Sequence, residues 1–289
     1  MNRQLKPRRV RARSVAATTG YHLFSGVLAA IFLIPLIWIT LNSFKTPQEA
    51  NQAQPTWFPH TFSLANYAAL AHYGNGLWVY LGNSVSLSVL VVIGTVIVTV
   101  LAGYGFARFK FRGKSLLFGS TLLILMVPYA TILIPLYIVL SWLQLGNTVV
   151  GLALTLVMFQ MPFGVFLMRN SFESIPRELE EAALVDGCTP IGALRHVSLR
   201  LVLPGIVTVA LFSFLASWNE FLAPLIFLND DSQYTLPLML VGVSSGQYGA
   251  VDYGSLSAGI VIAILPVLVI YLALQRYYVS GLVNGALRG

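Results

Sequence analysis

The chain has 289 residues, 57% of them hydrophobic and only 9% charged, with a mean hydropathy of +0.78. A soluble domain carries about 25% charged residues, so this composition excludes a water-exposed globule, and its hydrophobicity excludes intrinsic disorder. The single cysteine, Cys188, allows no intrachain disulfide and no cysteine metal cluster. The net charge of +7 has to be read from its placement along the chain.

Residues 1–20 form a basic arm with Arg3, Lys6, Arg8, Arg9, Arg11 and Arg13. The apolar stretch that follows shows no small-residue cleavage site, which predicts an uncleaved first span. Six segments have transmembrane length, near 21–41, 79–106, 115–140, 149–168, 201–228 and 256–274. Runs such as residues 87–101 (LSVLVVIGTVIVTVL) lack the alternation of a barrel strand, so the spans are helices whose backbone groups are paired internally. The expected fold is an all-α membrane protein of six transmembrane helices. Its domains are the arm at 1–20, a six-span membrane domain at 21–280 and a tail at 281–289.

Lys and Arg are sorted by side. Sixteen of the 17 fall in the arm, the second connection, the fourth connection and the C-terminal end, and Lys45 stands alone on the other face. The positive-inside rule therefore puts both termini in the cytoplasm and accounts for the basic charge without a nucleic-acid partner. The outer connections 44–78 and 229–253 are rich in Pro, Asn, Gln and aromatic residues. Each reads either as a surface loop with amphipathic turns on the bilayer or as a docking face. Asn83 and the serines 84, 86 and 88 read as helix-packing residues.

The cytoplasmic segment 170–200 carries a helix of its own. Pro176 suits the first turn, Glu178, Glu180 and Glu181 suit the positive end of the dipole, and Asp186-Gly187 supplies a left-handed stop. Leu179, Ala182 and Ala183 make a small apolar strip at i, i+3, i+4. Thr189-Pro190 then begins a second helix that feeds the fifth span. By pattern alone this is an interfacial helix or a docking helix.

Glu181-Ala182-Ala183-Leu184-Val185-Asp186-Gly187 resembles the E-A-A-x-x-D-G motif of binding-protein-dependent ABC importer permeases, two spans before the C-terminus as in that family. The lead-in Phe172-Glu173-Ser174-Ile175-Pro176-Arg177-Glu178-Leu179-Glu180 is similar to the family's F-x-x-I-P-x-E-L-x. Pro128, Ile134-Pro135-Leu136-Tyr137, Trp218-Asn219-Glu220-Phe221 and the glycine-bounded tail resemble its carbohydrate branch, the maltose-permease G-like group. Two positions depart: Leu199-Arg200 stands where the family has Leu-Pro, although Pro204 matches its second proline, and Cys188 replaces a small residue and is expected to be buried.

The resemblance implies a type I importer permease fold with a cytoplasmic coupling helix, in the bacterial inner membrane. It implies a second permease subunit, two ATP-binding subunits carrying ATP and Mg, and an extracytoplasmic solute-binding protein, in a chain with no cofactor, metal or catalytic residue of its own. Glu181, Ala182, Ala183, Asp186 and Gly187 would couple to the ATPase, and Trp218, Asn219 and Glu220 would line the solute path. No Walker A pattern occurs; Gly113-Lys114-Ser115 matches its end, but Arg108 stands where its first glycine belongs. The alternatives are a secondary active transporter, which usually relies on intramembrane carboxylates, and an importer of a non-sugar solute such as a glycerol phosphate.

Overall fold

The computed structural model describes the backbone of residues 9–246 and 251–286 and the side chains of residues 18–246 and 251–275. Residues 1–8 of the basic arm, the side chains of Arg9, Arg11 and Arg13, and residues 287–289 of the tail lie outside that description. Regular structure among the described residues is helical: α1 (Arg9–Ser43), α2 (Pro47–Ala50), α3 (Ala65–Ala71), α4 (Leu77–Arg108), α5 (Lys114–Leu123), α6 (Tyr129–Trp142), α7 (Val149–Glu173), α8 (Arg177–Val185), α9 (Pro190–Ala193), α10 (Leu199–Leu201), α11 (Leu203–Trp218), α12 (Leu222–Phe227), α13 (Leu236–Ser245) and α14 (Tyr253–Ala286). The first helix begins inside the basic arm and runs into the first span without a break.

Among the described residues four helices are long and apolar enough to cross a bilayer, in α1, α4, α7 and α14, and two bent pairs, each taken as one span, bring the number to six. The third span, expected as one helix over 115–140, is bent by 107° between Lys114–Met126 and Tyr129–Trp142. The break falls at Val127, which is extended (φ −84°, ψ 127°), as steric conflict with the ring of a following proline demands. The fifth, expected over 201–228, is bent by 73° between Pro190–Leu201 and Leu203–Trp218. It stops at Trp218, and 222–227 form the separate α12.

The centre of the bundle is the α4–α7 pair. Thr95, Thr99 and Gly103 lie one turn apart on one buried face of α4. A Cβ on Gly103 would stand 2.6 Å from Met168 Cβ and 2.9 Å from the Arg169 backbone nitrogen, and one on Gly164 would stand 2.5 Å from Thr99 Cγ2. Lipid gives two helices no hydrophobic reason to associate, so close backbone approach over small residues supplies the attraction. Leu87, Val91, Leu133, Leu152 and Phe227 fill the core at one end of this seam, and Met168, Phe172, Val202 and Val209 at the other.

The two connections expected on the outer side are folded against the spans. Lys45 is fully buried and donates from Nζ to the Thr56 carbonyl. Glu49 accepts from Thr56 Oγ1 at 2.9 Å and from the His60 N–H at 3.1 Å. Burial pushes the Lys45 ammonium below its ordinary value, with the Glu49 charge pulling the other way. Burial works to raise the Glu49 carboxyl, but the Thr56 and His60 hydrogen bonds and the His60 and Lys45 charges outweigh it and hold the group below the usual range. Asn66 Nδ2 donates to the Ser43 and Lys45 carbonyls at 3.1 and 2.7 Å. Across the cap, Asp231 Oδ2 accepts from Asn75 Nδ2 at 2.7 Å and from Tyr80 OH at 2.8 Å. Asn83 donates to the Ser232 and Tyr234 carbonyls, and Ser84 Oγ accepts from the Leu236 N–H. Asn83, Ser84 and the buried Ser88 thus serve packing, whereas Ser86 is exposed.

Candidate functional site

At the end of the bundle where α4 and α7 stop, the chain makes a helical hairpin of α8 and α9. Pro176 is the N-cap of α8, with extended backbone (φ −55°, ψ 134°), so the helix proper begins one residue after the proline. Glu178 and Glu180 occupy its first turn, where unpaired N–H groups favour acids. Its end is a Schellman motif. The Cys188 N–H donates to the Ala183 carbonyl at 3.0 Å, and the Gly187 N–H to the Leu184 carbonyl at 3.1 Å. Gly187 has φ +90°, a conformation that costs a residue bearing a Cβ. Two residues on, Thr189 caps α9 by accepting from the Gly192 N–H at 3.1 Å, and Pro190 takes the first helical position. The helix stop and the restart follow the sequence expectation closely.

One side of α8 is anchored by a polar knot absent from that expectation. Arg108, the last residue of α4, donates from Nε to Glu180 Oε1 at 2.9 Å and from Nη2 to the Ile175 carbonyl at 3.2 Å. Ser198 Oγ donates to the same Glu180 oxygen, and Arg177 reaches back to the Ala107 carbonyl at 3.4 Å. The Arg108 and Glu180 side chains are only 8% and 12% exposed. At that depth the pair is held by its extra hydrogen bonds as much as by charge. The knot sits on an apolar floor of Ala107, Phe172 and Ile175, with Tyr104 packed edge-on against Phe172 at 5.3 Å. Glu180 therefore joins α8 to both the second and the fifth spans.

The other side is open. Glu181, Ala182, Asp186 and Gly187 are exposed, and Ala183 is half-buried. Val185 is 87% exposed and Ile191, across the turn, 78%. The five expected coupling residues thus share one helix and its stop, with apolar side chains beside small and acidic ones. Cys188 does not fill the buried niche expected of it. Its backbone closes the Schellman turn and its thiol is exposed.

Trp218, Asn219 and Glu220 do not converge on one surface. Trp218 is 2% exposed, stacks on Phe214 at 5.6 Å and donates from Nε1 to the Ala263 carbonyl at 3.0 Å, pinning α11 to α14. Asn219 is exposed and folds back on the Leu215 carbonyl at 2.8 Å. Glu220 Oε1 accepts from the N–H groups of Leu222 and Ala223 at 2.9 and 3.0 Å, so its carboxylate caps α12 where the fifth span breaks.

With this geometry in hand, comparison with known proteins is specific. Residues 96–283 match the family described as binding-protein-dependent transport system inner membrane component. The sulfoquinovosyl glycerol transport system permease protein of Agrobacterium fabrum is 36% identical over 92% of each chain. The arabinooligosaccharides transport system permease protein of Halalkalibacterium halodurans is 33% identical over 91% of this chain and 93% of its own. Among solved structures, a bacterial ABC transporter that imports the acidic polysaccharide alginate superposes with a TM-score of 0.77, at 21% identity over 96% of this chain and all of that one. The match takes in the end of α4 from residue 96, α7, the braced helix α8 and most of α14, and on it the chain belongs to the family of binding-protein-dependent transport system inner membrane components.

Proposed function

We propose that the chain is one permease subunit of an ATP-driven importer of a saccharide or sugar-bearing solute. It pairs with a second permease subunit and takes its power stroke from two ATPase subunits, which carry ATP and Mg, through α8 and the turn into α9. Solute arrives from an extracytoplasmic binding protein, and both termini lie in the cytoplasm with α8. The sugar class is supported by the saccharide substrates in the names of both similar permeases. Family membership displaces the alternative of a carrier working alone.

The observation that carries the coupling role is the asymmetry of α8. Its Glu180 side is locked to α4 and to the approach of the fifth span, while Glu181, Ala182, Val185, Asp186 and Ile191 are left exposed. A helix so braced passes displacement at its free face into two spans. Gly187→Val is expected to strain the left-handed turn at a cost of order 1 kcal/mol, in space that is otherwise open. Ala182→Leu is a cleaner probe of ATPase docking than a change at half-buried Ala183, and overpacking at that contact costs about 1–3 kcal/mol, which is roughly five- to 150-fold in ATPase affinity. Pull-down of the ATPase from the purified complex, with uptake and ATP hydrolysis, measures both. Normal retention and normal uptake by the double variant would remove the coupling role.

Glu220→Gln keeps Oε1 as acceptor for the two α12 amides and removes the charge at the break. Assembly at wild-type abundance with reduced uptake is the expected result; unchanged uptake leaves Glu220 a cap alone. For the sidedness, labelling of a cysteine at either terminus from outside intact cells is the result that overturns it.

A further inference from the structure

Gly113-Lys114-Ser115 matched the end of a nucleotide-binding pattern that the chain does not contain, and neither the fold nor α8 uses it. These residues open α5 on the rim of a cleft of about 590 Å³ walled by Phe111, Lys114, Ser115, Leu116, Phe118 and Arg169. The Arg169 guanidinium lies over the Phe118 ring at 4.1 Å. Its Nε donates to Glu173 Oε1 at 2.9 Å, and its two terminal amino groups make no hydrogen bond among the described residues. Lys114 Nζ has only a long contact to the Phe109 carbonyl at 3.3 Å, and the Ser115 hydroxyl donates to nothing among the described residues.

The cleft lies beside the ends of α4 and α7, where charged residues follow the apolar spans. Lys110 and Arg112 stand exposed beside it. Glu173 offsets part of the Arg169 charge, and the other three cations make no ion pair among the described residues. Apolar groups continue from the same rim: Leu116 is 74% exposed, Leu117 55% and Phe109 59%. Cations with spare donors at the mouth and exposed apolar side chains along the adjoining helix match an amphiphile with an anionic head. A free phosphate would use the first and leave the second in water.

We propose that this cleft is a binding site for the phosphodiester headgroup of an anionic phospholipid. Arg169 and Lys114 take the phosphate oxygens, Ser115 donates to them, and the acyl chains run over Leu116 and Leu117. Basic pockets between spans at the headgroup level bind such lipids by the same combination. The inference needs the chain to lie in a membrane, and is independent of what solute it carries or which subunits drive it.

The test is lipid retention by the purified full complex, offered equimolar phosphatidylglycerol and phosphatidylcholine in detergent and read by native mass spectrometry. The wild type should hold phosphatidylglycerol in preference, and Lys114→Gln with Arg169→Gln should reduce that preference about thirtyfold, each cation contributing roughly fivefold. Ser115→Asp guards against misfolding, because an acid in the first turn suits the helix while repelling the headgroup; it should lose the preference too. Lys110→Gln with Arg112→Gln removes the same charge outside the cleft and should keep most of it. Equal retention of both lipids by the wild type overturns the site, as does an unchanged preference in Ser115→Asp or a full loss in the Lys110/Arg112 variant. Displacement of the lipid by millimolar inorganic phosphate would instead assign the cleft to a free anion and overturn the lipid.

Discussion

Arg108→Ala should uncouple the protein more severely than any change on the exposed face of α8. The substitution leaves Glu180, only 12% exposed, with Ser198 and Tyr104 as its polar partners. Removing one member of such a pair costs about 3–5 kcal/mol, enough to release the first turn of α8 from α4. The knot sits at the ends of the second and fifth spans, away from the Thr95–Gly103 seam that packs α4 on α7, so the expected phenotype is an inserted, assembled complex that hydrolyses ATP with little solute uptake. Amide hydrogen exchange should show lost protection around Arg177–Val185. The discriminating variant is the double change Arg108→Met with Glu180→Leu, which removes both charges. It should restore most of the protection, because a matched apolar pair avoids the stranded carboxylate. Full uptake by Arg108→Ala would show that the knot is incidental to coupling.

Gly103→Leu should fail at an earlier stage, in the association of spans. Its Cβ would meet the backbone of α7 at Met168 and Arg169, which cannot rotate away as a side chain can. Overpacking of this kind costs about 1–3 kcal/mol where neighbours can yield, and here α4 and α7 must separate. Two glycines of the same helix serve as internal controls. A Cβ at Gly94 meets a Val157 methyl at 2.9 Å, and one at Gly82 meets nothing within 4 Å. Yield of folded complex, measured by size-exclusion profile and proteolysis, is expected to fall in the order Gly82, Gly94, Gly103. Equal yields across the three would mean that the α4–α7 contact is not what holds the bundle together.

What could be read from the sequence was whatever depends on neighbours a few residues away. Span positions follow from local hydropathy, and the Schellman stop at Gly187 and the Thr189-Pro190 restart follow from residues within one turn. The break at Val127 also had a local sign in the following proline. Yet Pro35, Pro135, Pro162 and Pro266 all lie inside continuous helices, so a proline alone does not say whether a span bends; the packing around it does. The same limit hid Glu180. Three acids stand near the start of α8, and only the rotation of that helix against Arg108, 72 residues earlier, selects one of them. Cys188 was misjudged because its burial depends on which way the turn faces. The buried Lys45 was unreadable because its ammonium donates to a backbone carbonyl, that of Thr56, and every residue has one.

The position of α1 has a consequence for how the protein is made. Its principal neighbour is α14, and Asn42 is tied to Ser257 and Tyr253 across 215 and 211 residues. At ribosomal speeds of about 5–20 residues per second, that interval lasts roughly 10–40 s. Apart from its end at Ser43, which meets Asn66 and Tyr67, α1 therefore waits for α14 before it acquires its helix contacts. Only a segment content in lipid by itself can do so. The apolar stretch of α1 has a mean hydropathy of 2.3 and none of it is buried against the rest of the chain, so its uniform greasiness is the condition that lets α1 survive in lipid until α14 emerges.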